Sequence, residues 1–317
     1  MRFLDSTRIL QVAGKFKELS SPCRLCPRKC MVDRISGQIG YCGAGVNPSH
    51  SGILPHYGEE PPLVGAGGAG TIFFTHCNLR CVFCQNYQIS RGECGEFITV
   101  EELANEMLKL QLCGVSNIEP VSPTHQMHVF LEALALASQK GLDLPVVYNS
   151  GGYDSVEALR LLRGIIHVYM PDLKYADSRM AQKYSDCDDY VDVARAAVME
   201  MYDQVGELRL DSDGRAVRGL IIRHLMLPDD ISGTAETLRW IRENISSEVA
   251  ISLMSQYSPM YEASEFPELK RRIKAQEYDD IVDLCWDIGL KNVFIQEISS
   301  QDTCIPDFRQ RNPFKWD

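Results

Sequence analysis

Three cysteines within eight residues, Cys77, Cys81 and Cys84, constrain this 317-residue chain more tightly than anything else in it. They stand in C-x3-C-x2-C spacing directly after Thr71–Phe74, an apolar, β-favouring run. Three thiols are therefore expected on a loop at the end of a buried strand. Such a loop can ligate three irons of a cubane iron–sulfur cluster and leave the fourth iron open. A closed zinc site wants four ligands and would have to recruit His76 or a distant residue.

A second set, Cys23, Cys26, Cys30 and Cys42, has C-x2-C-x3-C-x11-C spacing amid prolines and glycines. Four thiolates around tight turns suit a closed tetrahedral ion or a further iron–sulfur cluster. Zinc is the favoured expectation, because so small a segment lacks a core and needs a staple. Arg24, Arg28, Lys29 and Arg34 stand nearby in sequence and could offset thiolate charge for either metal. Cys94, Cys113, Cys187, Cys285 and Cys304 are scattered and read as core or surface residues. Twelve cysteines used this way point to metal or redox chemistry in a reducing compartment, not to a disulfide scaffold.

The length and a 45% hydrophobic composition allow one large core, or a core with a small appendage. No run of about 18 apolar residues occurs, and Met1–Leu10 lacks the apolar stretch of a signal peptide. A soluble cytoplasmic protein is expected, with no membrane contact. A net charge of −11 without a long basic stretch disfavours nucleic acid, whose binding rests on phosphate contacts.

In chain order, a helix is expected over 8–19 and a Gly- and Pro-rich linker over 43–70. The glycines between Gly65 and Gly70 precede a strand, whereas a phosphate-cradling loop follows one and opens a helix, so no nucleotide loop is read there. Thr99 and Glu102 make a capping box for a helix that closes at Gly114. Strands are expected at 115–121, 145–148, 165–170, 219–226, 249–255 and 292–298. Between them come helices carrying Met127, Phe130, Leu131 and Leu134, then at 155–162, 177–206, 234–245 and 277–288, with a hairpin turn at Asp213-Gly214. Six βα units imply parallel strands and right-handed crossovers. The expected fold is α/β, an incomplete parallel (β/α)6 barrel over 70–317 with a Cys-rich segment and linker over 1–69. A doubly wound open sheet is the alternative.

In a parallel barrel, functional groups gather where strands end. Those positions hold Glu119, Asn149, Asp172, Lys174, Arg223, His224, Gln256 and Tyr257. The cysteine loop resembles the signature of the radical S-adenosylmethionine (SAM) superfamily. That resemblance implies a [4Fe–4S] cluster on Cys77, Cys81 and Cys84, SAM chelated at the open iron, and reductive cleavage to a 5′-deoxyadenosyl radical. It also implies Phe83 beside the adenine, against which ordinary packing is an equal reading. Met170–Lys174 with Asp177, Ile222–Pro228 and Met254–Tyr257, together with the four-cysteine segment, are similar to glycyl-radical-enzyme activating enzymes of the pyruvate formate-lyase activase group and their activase-like relatives.

By that similarity Asp172 bears on the SAM amino group, with Glu119 and Asn149 near it, while Lys174 and His224 approach the carboxylate. It further implies an electron donor such as flavodoxin or ferredoxin and a glycyl radical enzyme as partner. Two departures bear on substrate more than on SAM: Ser116–Pro120 replaces a Gly-Gly-Glu run, and Asn149–Tyr153 replaces an acidic Asp-Thr-Asn-Gly segment. Modification of a peptide or small metabolite is the alternative activity. A non-enzymatic electron carrier or metal-dependent scaffold is the alternative of another class, and it would gain nothing from an open iron.

Overall fold

The computed structural model describes residues 4–303 and 305–314. Cys304 lies outside the described residues. The strands are β1 (Ser49–His56), β2 (Ala69–Phe74), β3 (Glu96–Phe97), β4 (Ile118–Val121), β5 (Val147–Ser150), β6 (Val168–Pro171), β7 (Arg209–Leu210), β8 (Ala216–Leu225), β9 (Ala250–Met254) and β10 (Asn292–Ile295). They make one sheet in the order β10-β9-β8-β6-β5-β4-β2-β1-β3, with β7 paired beside β8. From β2 to β10 every neighbouring pair on that path is parallel. The order never reverses, as it must in a doubly wound sheet, so the strands curl one way around a common interior. Among the described residues no ladder joins β10 to β1, β2 or β3, and the barrel is partial.

Helices cover the outer face. Asp5 caps Ser6–Glu18, its side chain accepting from the N–H groups of Thr7 and Arg8, and this helix packs on Met127–Gln139. The Thr99–Glu102 capping box forms as its sequence suggests. Along each strand alternate residues face opposite sides. Tyr148, Tyr169, Ile222 and Ile251 pack outward in the main core, while Val147, Val168, Ile221 and Ala250 form a separate apolar cluster.

That second cluster shows what residues 43–70 do. They are not a linker. β1 pairs antiparallel with both β2 and β3, and a short helix, Pro61–Val64, follows it. Leu63 on that helix is fully buried among Val147, Val168, Met170, Ala216, Ile221 and Ala250. It plugs one end of the barrel, a burial that contributes about 1.5–3 kcal/mol. The glycines nearby allow close backbone approach: a Cβ on Gly67 would stand 2.0 Å from Gly114 O, and one on Gly70 would stand 2.4 Å from Asn117 O. A Gly- and Pro-rich composition here marks tight packing, not slack.

The expected helix over 177–206 is two, Ser178–Ser185 and Tyr190–Val205, broken at Asp186 with φ 52°. Asp tolerates the left-handed region better than most residues. The break leaves carbonyls without helical partners, and the cysteine loop uses them: Arg80 N–H donates to Ser185 O at 3.1 Å and Val82 N–H to Tyr184 O at 2.9 Å. β4, β5 and β6 begin two or three residues later than expected; β4 still ends at Val121, with Glu119 inside it, while β5 and β6 run further, so Asn149 also lies within a strand.

Candidate cofactor and metal site

β2 delivers the cysteine loop to the mouth of the barrel, as its apolar run suggests. His76 turns the chain with φ 70°, its N–H donating to Ile89 O at 2.8 Å. Asn78 ties the loop across the barrel through Nδ2 to Tyr153 O at 2.7 Å. Each thiol has a donor near it: Leu79 N–H at 3.5 Å from Cys77 Sγ, Ser185 Oγ at 3.0 Å from Cys81 Sγ, and Ser90 Oγ at 3.4 Å from Cys84 Sγ. Hydrogen bonds to sulfur favour the thiolate a metal needs. Burial opposes it, pushing the Cys77 thiol up to about 12 despite the Leu79 N–H and raising that of Cys84, so these two are neutral thiols until a metal takes the proton's place.

The loop caps a cavity of about 500 Å3. Cys77, Cys81, Cys84, Phe83, Asn149, Asp172 and Lys174 all line it, as do Arg223 and Gln256, which brings nine of the sequence-derived positions to one place. Lys174 Nζ lies 2.6 Å from Asp172 Oδ2. Burial would lower the lysine's pKa, but the carboxylate of Asp172 outweighs it and holds the ammonium charged. A cation thus stands beside three thiols. Phe83 is wedged edge-on to Tyr175 and Tyr257, with ring centroids 6.4 and 6.2 Å away. Gln256 lines the cavity and bonds Gln85, whereas Tyr257 is spent on Leu269 O at 2.6 Å.

Glu119 lies behind this wall. Its Oε1 accepts from Asn149 Nδ2 at 2.9 Å, and its Oε2 is buried with no hydrogen-bond partner among the described residues. Burial and then the charge of Glu59 hold its proton on well above the usual carboxylate range. His224 does not reach the cavity. It is fully buried, its Nδ1 2.6 Å from Leu173 O and its Nε2 2.9 Å from Thr234 Oγ1, with burial pushing the imidazole down to about 4. The expectation that His224 approaches the SAM carboxylate is corrected by strand alternation: Arg223 and His224 are consecutive on β8, and Arg223 takes the inward side.

There Arg223 makes paired bonds to Glu60, Nε to Oε1 and Nη2 to Oε2 at 2.7 Å each, and a further ion pair with Glu59. Both acids line the cavity, and sequence reasoning passed over them because they lay in the supposed linker. Two adjacent acids before Pro61-Pro62 were the signal available.

The four-cysteine segment sits against the loop. Arg28 Nε donates to Asn78 O at 3.1 Å, Arg80 Nη2 donates to Tyr41 O at 2.8 Å, and a Cβ on Gly43 would stand 3.0 Å from His76 Nδ1. Cys23, Cys30 and Cys42 stand close enough to Cys26 to help burial push its thiol up to about 12. Among the described residues no three His, Cys, Asp or Glu side chains converge on a point that would hold a single metal ion. The three-thiol loop fits a cluster, in which each cysteine reaches a different iron. Among the described residues no helix is long and apolar enough to cross a membrane.

The chain is similar to two proteins of Methanocaldococcus jannaschii, both uncharacterized. It is 28% identical to MJ0674 over 286 residues, spanning 88% of this chain and 78% of that one, and 21% identical to MJ0808 over 308 residues, spanning 88% and 82%. Among solved structures it is similar to HydG, described as a maturase of the [FeFe]-hydrogenase, with 14% identity and a TM-score of 0.49, over 90% of this chain and 62% of that one. The model of the Radical SAM superfamily matches residues 71–205, which contain the cysteine loop, Phe83, Glu119, Asn149, Asp172 and Lys174. Residues 71–205 are thus similar to the Radical SAM superfamily, and that likeness implies a [4Fe–4S] cluster and SAM as cofactors.

Proposed function

We propose that this radical SAM protein abstracts a hydrogen atom from a glycine of a partner polypeptide, in the manner of an activating enzyme. The observation that carries the radical chemistry is the convergence of three thiols and the Asp172–Lys174 pair on one cavity. When bound, the cluster and SAM would supply reductive cleavage to a 5′-deoxyadenosyl radical, with flavodoxin or ferredoxin as the class of electron donor. The chain's own residues hold and orient. Cys77, Cys81 and Cys84 would ligate three irons, and Lys174 would fix the SAM carboxylate by a charge-assisted hydrogen bond. Asp172 and Asn149 would take the ammonium, Asn149 without a charge of its own. The similarity of Met170–Lys174 and Met254–Tyr257 to activase segments supports a glycyl radical enzyme as the partner.

A second reading, a peptide or small metabolite as hydrogen donor, is favoured by the cavity itself. About 500 Å3 suits small ligands, and Ser300, Pro306 and Phe314 from the C-terminal segment contribute to its wall.

Anaerobically reconstituted protein with SAM and dithionite should form 5′-deoxyadenosine, and Cys77→Ala/Cys81→Ala/Cys84→Ala should not. Absence of product from fully reconstituted protein would refute the radical chemistry. The donor is then identified by label. Deuterium passing from a glycyl radical enzyme made with deuterated glycine into 5′-deoxyadenosine supports the first reading, and its passing only from a small molecule supports the second.

A further inference from the structure

The guanidinium of Arg34 is buried to 1% exposure, and its hydrogen bonds go only to neutral carbonyls. Nη1 donates to His125 O at 2.7 Å, Nη2 donates to Gly45 O, and Nε has no partner. No Asp or Glu pairs with it among the described residues. The titratable groups that feel its charge are His76, His125, His128 and Cys42. All three imidazoles are driven toward neutrality, burial being the largest cause in each. A buried cation without an anion is among the costliest arrangements a fold can contain. The place of this guanidinium beside the cysteines is set by the backbone: Arg34 N–H donates to Ser20 O at 3.3 Å, next to the Ser20–Cys23 bridge, and Gly45, whose carbonyl takes Nη2, stands three residues past Cys42.

Of the segment's other basic side chains, Arg24 is only half-buried, although its Nε too lacks a partner among the described residues. Arg28 stacks on Tyr41 and Tyr153 and bonds Asn78 O and Asp186 O, and Lys29 is exposed. At Cys30 the backbone already makes a contact that a thiolate accepts. Tyr41 N–H lies 3.3 Å from Cys30 Sγ. Lys29 and Met31 take positive φ values of 41° and 58°, a turn that neither side chain favours by itself.

We propose that Cys23, Cys26, Cys30 and Cys42 hold a thiolate-ligated metal centre, a zinc ion or an iron–sulfur cluster, whose negative charge is met by the buried guanidinium of Arg34. Four thiolates leave either centre anionic, and Arg34 then changes from an uncompensated charge into its counterion. In the described conformation the thiols are within electrostatic reach but not drawn onto one ion. Loading therefore either pulls them together, as zinc would, or inserts irons between them. The site is independent of the SAM reading, since it shares no ligand with the three-cysteine loop.

The test uses full-length protein carrying Cys77→Ser/Cys81→Ser/Cys84→Ser, expressed and purified without oxygen and without reconstitution, so that metal elsewhere cannot contribute. One zinc per chain, or iron with equal acid-labile sulfide, supports the proposal and identifies the centre. Adding Cys42→Ser should abolish it. No metal, or metal retained in the Cys42→Ser background, overturns the site. Arg34 is tested in the same background by chelator competition. Arg34→Gln keeps donors without charge and should surrender metal at about ten- to hundredfold lower chelator, the scale for losing a partner outside the ligand set. Arg34→Lys keeps charge with fewer donors and should hold metal more tightly than Arg34→Gln. Equal retention by both, at wild-type circular dichroism, would overturn the counterion role. If Arg34→Gln fails to fold, Arg34→Lys against the parent decides: a loss beyond about hundredfold would mean hydrogen bonding, not charge, is what matters.

Discussion

Replacing Lys174 separates holding SAM from holding the cluster. Its ammonium sits 2.6 Å from Asp172 Oδ2, with the two side chains 18% and 22% exposed, so the pair works in a poorly screened wall. A charge-assisted hydrogen bond in such a place contributes about 1.5–3 kcal/mol. At about 1.4 kcal/mol per factor of ten, its loss to a bound carboxylate weakens affinity roughly ten- to a hundredfold. Lys174→Ala also leaves Asp172 without its cation, and that carboxylate would then repel the ligand's own, which pushes the loss toward the upper figure. The thiols do not depend on the lysine for ligation, so iron content should stay at the wild-type value. SAM affinity by equilibrium dialysis, iron by colorimetry and 5′-deoxyadenosine under dithionite, all on one anaerobic preparation, read the three effects apart. Lys174→Arg keeps the charge and should recover part of the binding. Unchanged SAM affinity in Lys174→Ala would refute the assignment and return Asp172–Lys174 to an ordinary ion pair. Loss of iron together with a lower melting temperature would make the lysine structural.

Two further outcomes follow from the barrel interior. Leu63→Ala should cost about 2–5 kcal/mol in urea unfolding, because the end of the barrel cannot collapse onto the space left behind; a cost below about 1 kcal/mol would mean that Leu63 is not the plug described. Glu119 keeps its proton in the fold well above the usual range. Its stabilisation is complete below the ordinary carboxylate pKa and is lost as pH rises toward the folded value. Glu119→Gln cannot lose a proton, so its melting temperature should gain on wild type from pH 4 to pH 7, and a gap that does not change with pH would contradict the assignment.

Much of this could be seen in the chain itself because the informative signals are local. Cysteine spacing, a β-favouring run before it, a capping box at Thr99 and the repeated alternation of strand and helix all depend on neighbours a few residues apart. They sufficed for parallel strands, a strand-end cysteine loop, and Asp172 and Lys174 just beyond β6. What they could not carry is orientation across the barrel. Arg223 and His224 read alike in sequence, yet consecutive strand residues face opposite sides, and which side is inward depends on what the other strands and the floor present there. Glu59, Glu60 and Leu63 were invisible for the same reason: a Gly- and Pro-rich stretch reads as slack until β1 pairs with β2 and carries it beneath the barrel. Arg34 was one of four interchangeable basic residues along the segment. Only the tertiary structure set it apart, by burying its charge against the carbonyls of Gly45 and His125, where water cannot solvate it and no carboxylate among the described residues pairs with it.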